Sequence, residues 1–169
     1  MSTSDADYTL RLQRARDLRR DEELEQSQEL LLELLDEHPD DPTILFEVGG
    51  SYDVLGDEGM AIPYYREALD AGLAGDERHE CLICLGSSLR VVGEYDEAVE
   101  CLERAVEEYP TRNSGRAFLA LAHYSNGRPD EAVRMLLDLL LSTTGDADIR
   151  SFADPLEYYR DNLDLDDEA

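Results

Sequence analysis

The chain has 169 residues, of which 42% are hydrophobic and 33% charged, enough for one domain with a substantial core and too apolar for disorder by composition. A formal net charge of −26 repels phosphates and anionic lipid heads, which excludes nucleic acid and membrane as main partners. Leu, Ala and Glu dominate, Trp is absent, and the six prolines lie mostly near helix ends, so the expected fold class is all-α.

The opening stretch MSTSDADYTL lacks a basic start followed by an apolar core, and no apolar run reaches membrane-spanning length. Residues 1–20 carry five arginines against Asp5, Asp7 and Asp17, a basic island in an acidic chain. All fifteen basic residues are Arg, which fits a high-GC genome or a salt-adapted host. Two readings of RLQRARDLRR stand side by side. It pairs with the adjacent DEELEQSQE (21–29), or it forms a basic mouth for an acidic peptide.

From residue 41 onward the chain repeats itself. Gly49, Gly56, Ala61 and Ala68 recur 37 residues later as Gly86, Gly93, Ala98 and Ala105. Gly93 and Ala98 recur 34 residues later as Gly127 and Ala132. The units span 41–73, 79–110 and 113–143, and the three extra residues fall in DAGLAGDER (70–78). Each unit has one grammar. An amphipathic segment (Leu45, Val48, Tyr52, Leu55; then Leu82, Leu85, Leu89, Val92) precedes a Gly-containing break and a second segment (Ala61, Tyr65, Ala68, Leu69; then Ala98, Leu102, Ala105, Val106). Gly56, Gly93 and Gly127 stand where a helix end wants a left-handed residue, and Asp57, Asp96 and Asp130 put negative charge at the next helix start. Gly49, Gly86 and Ala120 would let the first helix approach Ala61, Ala98 and Ala132 on the second. Counting back 34 from Ala61 and Tyr65 gives Ser27 and Leu31, so a degenerate first unit occupies 8–39 and closes at Pro39. After the repeats, Ile149, Phe152, Leu156, Tyr159 and Leu163 predict a capping helix over 148–163, restarted at Pro155, followed by an acidic tail at 164–169.

This grammar resembles the tetratricopeptide repeat, a helix–turn–helix unit of about 34 residues. Leu82, Leu85, Gly86, Leu89, Gly93, Tyr95, Ala98, Leu102, Ala105 and Pro110 follow the family order and spacing. Leu45 and Leu82 replace the family's early aromatic, and Arg11 and Arg14 stand where the family prefers apolar residues. The whole looks like the small stand-alone bacterial proteins of this family. The resemblance implies a right-handed α-solenoid whose first helices line a concave groove that binds extended peptides or partner helices. The groove positions would be Leu12, Arg16 and Arg19; Phe46, Gly50 and Asp53; Ile83, Ser87 and Arg90; Ala117, Leu121 and Tyr124. The Lys/Asn carboxylate clamp of some relatives has no match, because the chain has no Lys.

Chemistry is sparse. Cys81 and Cys84 form a C-x-x-C flanked by Leu82 and Leu85, and read as small core residues rather than zinc ligands or a redox pair. Three cysteines make no disulfide framework, which points to a reducing cytoplasm. His38, His79 and His123 are scattered over three units, and His123 takes a packing position. No nucleophile elbow or phosphate loop appears. The expectation is a non-enzymatic interaction scaffold without cofactor or metal, binding another protein or an acidic peptide, with a self-assembling homo-oligomer as the alternative.

Overall fold

A computed structural model describes residues 3–163, and the tail expected at 164–169 lies outside the described residues. Among them run ten helices and no strand: α1 (Thr3–Arg20), α2 (Leu24–Glu37), α3 (Pro42–Val54), α4 (Glu58–Asp70), α5 (Gly75–Val92), α6 (Tyr95–Glu108), α7 (Asn113–Ser125), α8 (Pro129–Thr143), α9 (Ala147–Ser151) and α10 (Ala153–Asp161). The first eight pair as hairpins, each packed on the next, and α10 lies on α8. The result is an all-α right-handed solenoid with a C-terminal cap.

The turns follow from local chemistry. Gly56, Gly93 and Gly127 end their helices at φ of 79°, 91° and 73°, conformations that a side chain resists. In the first hairpin the same position, 34 residues before Gly56, is Glu22, held at φ 65°. Asp41 starts α3 by accepting from the Thr43 and Ile44 amides at 2.9 and 3.0 Å, with Pro42 in the first turn.

Gly49 does approach Ala61, whose carbonyl oxygen a Cβ would meet at 3.3 Å, but the nearest atoms at these crossings belong to larger side chains. A Cβ on Gly49 would meet the Tyr65 ring at 2.7 Å, and one on Gly86 would collide with the Leu102 side chain. The glycines therefore admit the large residue one turn beyond Ala61 and Ala98. Tyr65, Leu82 and Leu102 are fully buried there, each large apolar side chain worth roughly 1.5–3 kcal/mol. Leu55 and Val92, at the ends of their helices, are exposed.

The first hairpin packs through Leu12, Ala15 and Leu31, and Ser27 donates to the Ala15 carbonyl at 2.8 Å. Arg11 and Arg14 stay out of this core. Their counterparts 34 residues later, Leu45 and Val48, are buried. Val48 packs against the first hairpin, whereas no described helix precedes α1. The cap breaks at Phe152, not at Pro155. Pro155 sits in the first turn of α10, where a missing N–H leaves nothing unpaired. Phe152 and Tyr159 of the expected stripe are exposed, while Ile149, Leu156 and Leu163 are half-buried.

Candidate functional site

Arg16 on α1 bonds to Glu77 on α5 at 2.7 Å, two hairpins along. One side chain spans that distance only on the inside of a curve. The first helices α1, α3, α5 and α7 therefore line the concave wall.

Down this wall the twelve sequence-derived groove positions fall into three columns. The first column is Leu12, Phe46, Ile83 and Ala117. Leu12 and Ile83 are buried core residues, and Phe46 packs on the Tyr65 ring with centroids 6.0 Å apart. The first helices close on one another at this level, so Leu12 and Ile83 do not line a groove. The second column (Arg16, Gly50, Ser87, Leu121) and the third (Arg19, Asp53, Arg90, Tyr124) run along the same four helices beside the first, and in both the residue on α7 is the exposed one.

In the N-terminal half the chain fills its own groove. Glu47, 4% exposed, accepts from Arg16 Nε and from Arg19. Glu77 takes the other Arg16 nitrogen and the Thr43 hydroxyl at 2.8 Å. Gly50 leaves room for the Arg19 guanidinium, which a Cβ would approach to 2.8 Å. The pairing expected with 21–29 is thus corrected for these residues. Arg16 pairs with Glu47 on α3 and Glu77 on α5, and Arg19 with Glu47. Arg11 does reach α2, at Glu33 and Glu37.

In the middle, Asp53 accepts from the Tyr65 hydroxyl at 3.0 Å and the Ser88 hydroxyl at 3.3 Å. Burial pushes its carboxyl above the usual carboxylate range, against the pull of both hydrogen bonds. The C-terminal half is open. Leu121 is 46% and Tyr124 68% exposed on α7. One repeat earlier, on α5, stand Ser87, Arg90 and Val91. Among the described residues Arg90 reaches Ser125, at 3.5 Å, and its buried Nε has no hydrogen-bond partner. Val91 is exposed and was missed in the sequence, although it lies one turn beyond Ser87.

On the outer side, a cleft of about 530 Å³ lies between α4 and α6, floored by Leu85 and Leu89 and rimmed by Arg66, Glu97 and Arg104. No motif or spacing pointed to it. The Cys81 and Cys101 thiols point at the backbone carbonyls of Tyr65 and Leu82, at 3.5 and 3.3 Å. Burial pushes the Cys84 and Cys101 thiols up to about 11 and Cys81 higher still, so all three stay protonated at neutral pH. Among the described residues no three His, Cys, Asp or Glu side chains gather as a metal set. No helix among them is long and apolar enough to cross a membrane.

The family described as tetratrico peptide repeat matches residues 42–145. The chain belongs to the tetratricopeptide repeat family. No curated protein sequence matches it. Several solved structures share the fold. The MamA segment 41-end of Desulfovibrio magneticus RS-1 has TM-score 0.68 at 19% identity, over 96% of this chain and 97% of that one. YrrB, described as a TPR protein with an unusual peptide-binding site, has 0.69 at 23%, over 91% and 78%. PilF of Pseudomonas aeruginosa has 0.72 at 18%, over 95% and 72%. At these identities the likeness is one of fold. The tetratricopeptide match begins at α3, so the α1–α2 hairpin joins the array on its packing and on the spacing of Ser27 and Leu31.

Proposed function

We propose that this chain is a protein-interaction module that takes an extended segment of a partner polypeptide across the C-terminal half of its concave face. The segment lies between Ser87, Arg90 and Val91 on α5 and Ala117, Leu121 and Tyr124 on α7. One observation carries the reading: Tyr124 and Leu121 stand exposed on the inner wall beside Arg90, an arginine with a buried, unpartnered Nε. An aromatic and an aliphatic anchor beside one cation suit apolar side chains flanking a carboxylate. The acidity of the partner then rests on Arg90 rather than on Arg16 and Arg19. The peptide-binding site ascribed to YrrB supports the class of ligand. No reaction is assigned to the chain. Three free thiols and no disulfide suit a reducing cytoplasm.

The test has two stages. Wild-type protein first recovers a partner from host lysate, and the recovered segment is then titrated against variants at two salt concentrations. Tyr124→Ala is expected to weaken binding by about 1–2 kcal/mol, and Arg90→Glu to weaken it and flatten its salt dependence. Arg66→Glu with Arg104→Glu, on the outer cleft, should leave it unchanged. Loss confined to that outer pair would refute the reading. Light scattering at two concentrations tests the alternative, a self-assembling protein, which requires mass to rise with concentration.

A further inference from the structure

The last hairpin presents a face that its predecessors keep covered. Val99, Leu102 and Val106 on α6 recur 34 residues later as Val133, Leu136 and Leu140 on α8. Val99 and Leu102 are 4% and 0% exposed, where Leu102 packs on Gly86 of its own hairpin and α7 closes over α6. Val133, Leu136 and Leu140 are 42%, 42% and 38% exposed. The second hairpin agrees with the third. Ile62 and Tyr65 hold the same positions on α4 and are buried under α5. The cap does not replace a covering helix. α10 has nine residues where α7 has thirteen, and a polar contact, Arg160 to Asp138 at 3.2 Å, helps to hold it on α8. Its Tyr158 and Tyr159, with Phe152 before it, add three exposed aromatics to this end of the array.

We propose that this end face docks a basic amphipathic helix of a partner polypeptide, in the place that the first helix of a further hairpin would take. The shape argument is internal. In the two preceding hairpins this same face is covered by a helix lying along it, α5 and then α7. The apolar stripe at successive turns of α8 is what such a helix needs. The charge argument chooses the partner. Residues 129–161 carry eight acids against Arg134, Arg150 and Arg160, and Arg160 is held by Asp138 and Asp161. A helix with Lys or Arg flanking its apolar stripe complements that rim. A second copy would bring the same acids and another −26 of charge against it. The surface is distinct from the concave strip, so either assignment stands without the other.

The probe is a fluorescein-labelled peptide of about 18 residues, five turns of helix, with Leu at i, i+3, i+4 and i+7 and Lys on the remaining faces. A counterpart carries Glu in place of Lys. The test variant is Leu136→Gln with Leu140→Gln, which leaves the charge unchanged; circular dichroism and melting verify its fold. Fluorescence anisotropy should show the Lys peptide binding wild-type protein and weakened about tenfold or more by the Gln pair. It should be unaffected by Tyr124→Ala, and the Glu peptide should not bind. Amide exchange of wild-type protein gives a second readout that needs no variant: the Lys peptide should protect α8 and α10. Equal affinity for wild type and the Gln variant would reduce the binding to charge alone and overturn the proposal. Protection confined to α5 and α7 would overturn it too. So would a dimer, seen by light scattering, that the Gln pair abolishes, since a second copy would then be the occupant.

Discussion

Gly86→Ala separates packing from propensity because the two predict opposite signs. In a helix interior Ala is favoured over Gly by about 1 kcal/mol, so propensity alone raises stability. The geometry of this site reverses that. The new methyl would lie 2.9 and 3.0 Å from the two Leu102 methyl carbons and closer still to Cγ, where carbon contacts prefer about 3.5–4.0 Å. Leu102 is fully buried in the core cluster. Overpacking of this kind costs about 1–3 kcal/mol. Against the propensity gain, the expected net loss is about 0–2 kcal/mol. At about 2–4 °C per kcal/mol for a chain of this size, Tm should fall by up to about 8 °C. Thermal and urea melts followed by far-UV circular dichroism measure it. Gly59→Ala is the control, since its Cβ would meet nothing nearer than Asp57 Oδ1 at 4.0 Å, and it should be neutral or slightly stabilising. A double-mutant cycle localises the effect. Leu102→Ala alone should cost about 2–5 kcal/mol, and at least about 1 kcal/mol less with Gly86→Ala present, because the methyl then enters the vacated space. A higher Tm for Gly86→Ala, or strict additivity in the cycle, would refute the claim that this glycine exists to admit Leu102.

Two further outcomes are expected. Glu47→Ala leaves Arg16 and Arg19 without their shared buried acceptor and should cost about 1–3 kcal/mol, read by amide exchange as early opening of α1 and α2; replacing all three residues by Met should recover most of it. His79 is buried and lies 3.4 Å from Arg112, and desolvation with that positive charge pushes its pKa below the ordinary value. The unfolded chain therefore binds the proton more readily. The contribution of neutral His79 is complete above about pH 6.5 and shrinks as the pH falls below it. His79→Gln should thus lose less stability than wild type on going from about pH 7.5 to 5.5 in paired melts; parallel pH profiles would refute this.

The array was legible because its spacing is backbone arithmetic. A left-handed turn favours Gly, and a hairpin crossing favours small residues at a fixed distance from that turn, so three units declared themselves. Ser27 and Leu31 located the first hairpin even though its turn uses Glu22. The face of α1 was not legible, because no described helix packs ahead of it as α1 and α2 pack ahead of α3, and Leu12 rather than Arg11 turns inward. Leu12 and Ile83 were assigned to the groove because residue spacing sets angular position around a helix but not where neighbouring helices close. The buried acid did leave a trace. Glu47 stands where the later units have Cys84 and Phe118, and a lone carboxylate in an apolar column announces an internal cation. Its link to Arg16 and Arg19, and that of Arg16 to Glu77, depend on curvature, which no pairwise spacing reports.

The Arg16–Glu77 bond has a mechanical consequence. In a stack of repeats each unit normally feels only its neighbours, and the coil flexes like a spring. Here a tie runs from the first hairpin to the third across the hollow, as a chord runs across an arch. To straighten the N-terminal half, that chord must break, along with the Glu47 anchorage beneath it. Between α5 and α7 the links are the long contact from Arg90 to Ser125 and, at the start of α7, Arg112 on Asp76 and His79. The chord therefore fixes the curvature of the N-terminal half, and Leu121 and Tyr124 lie beyond its reach.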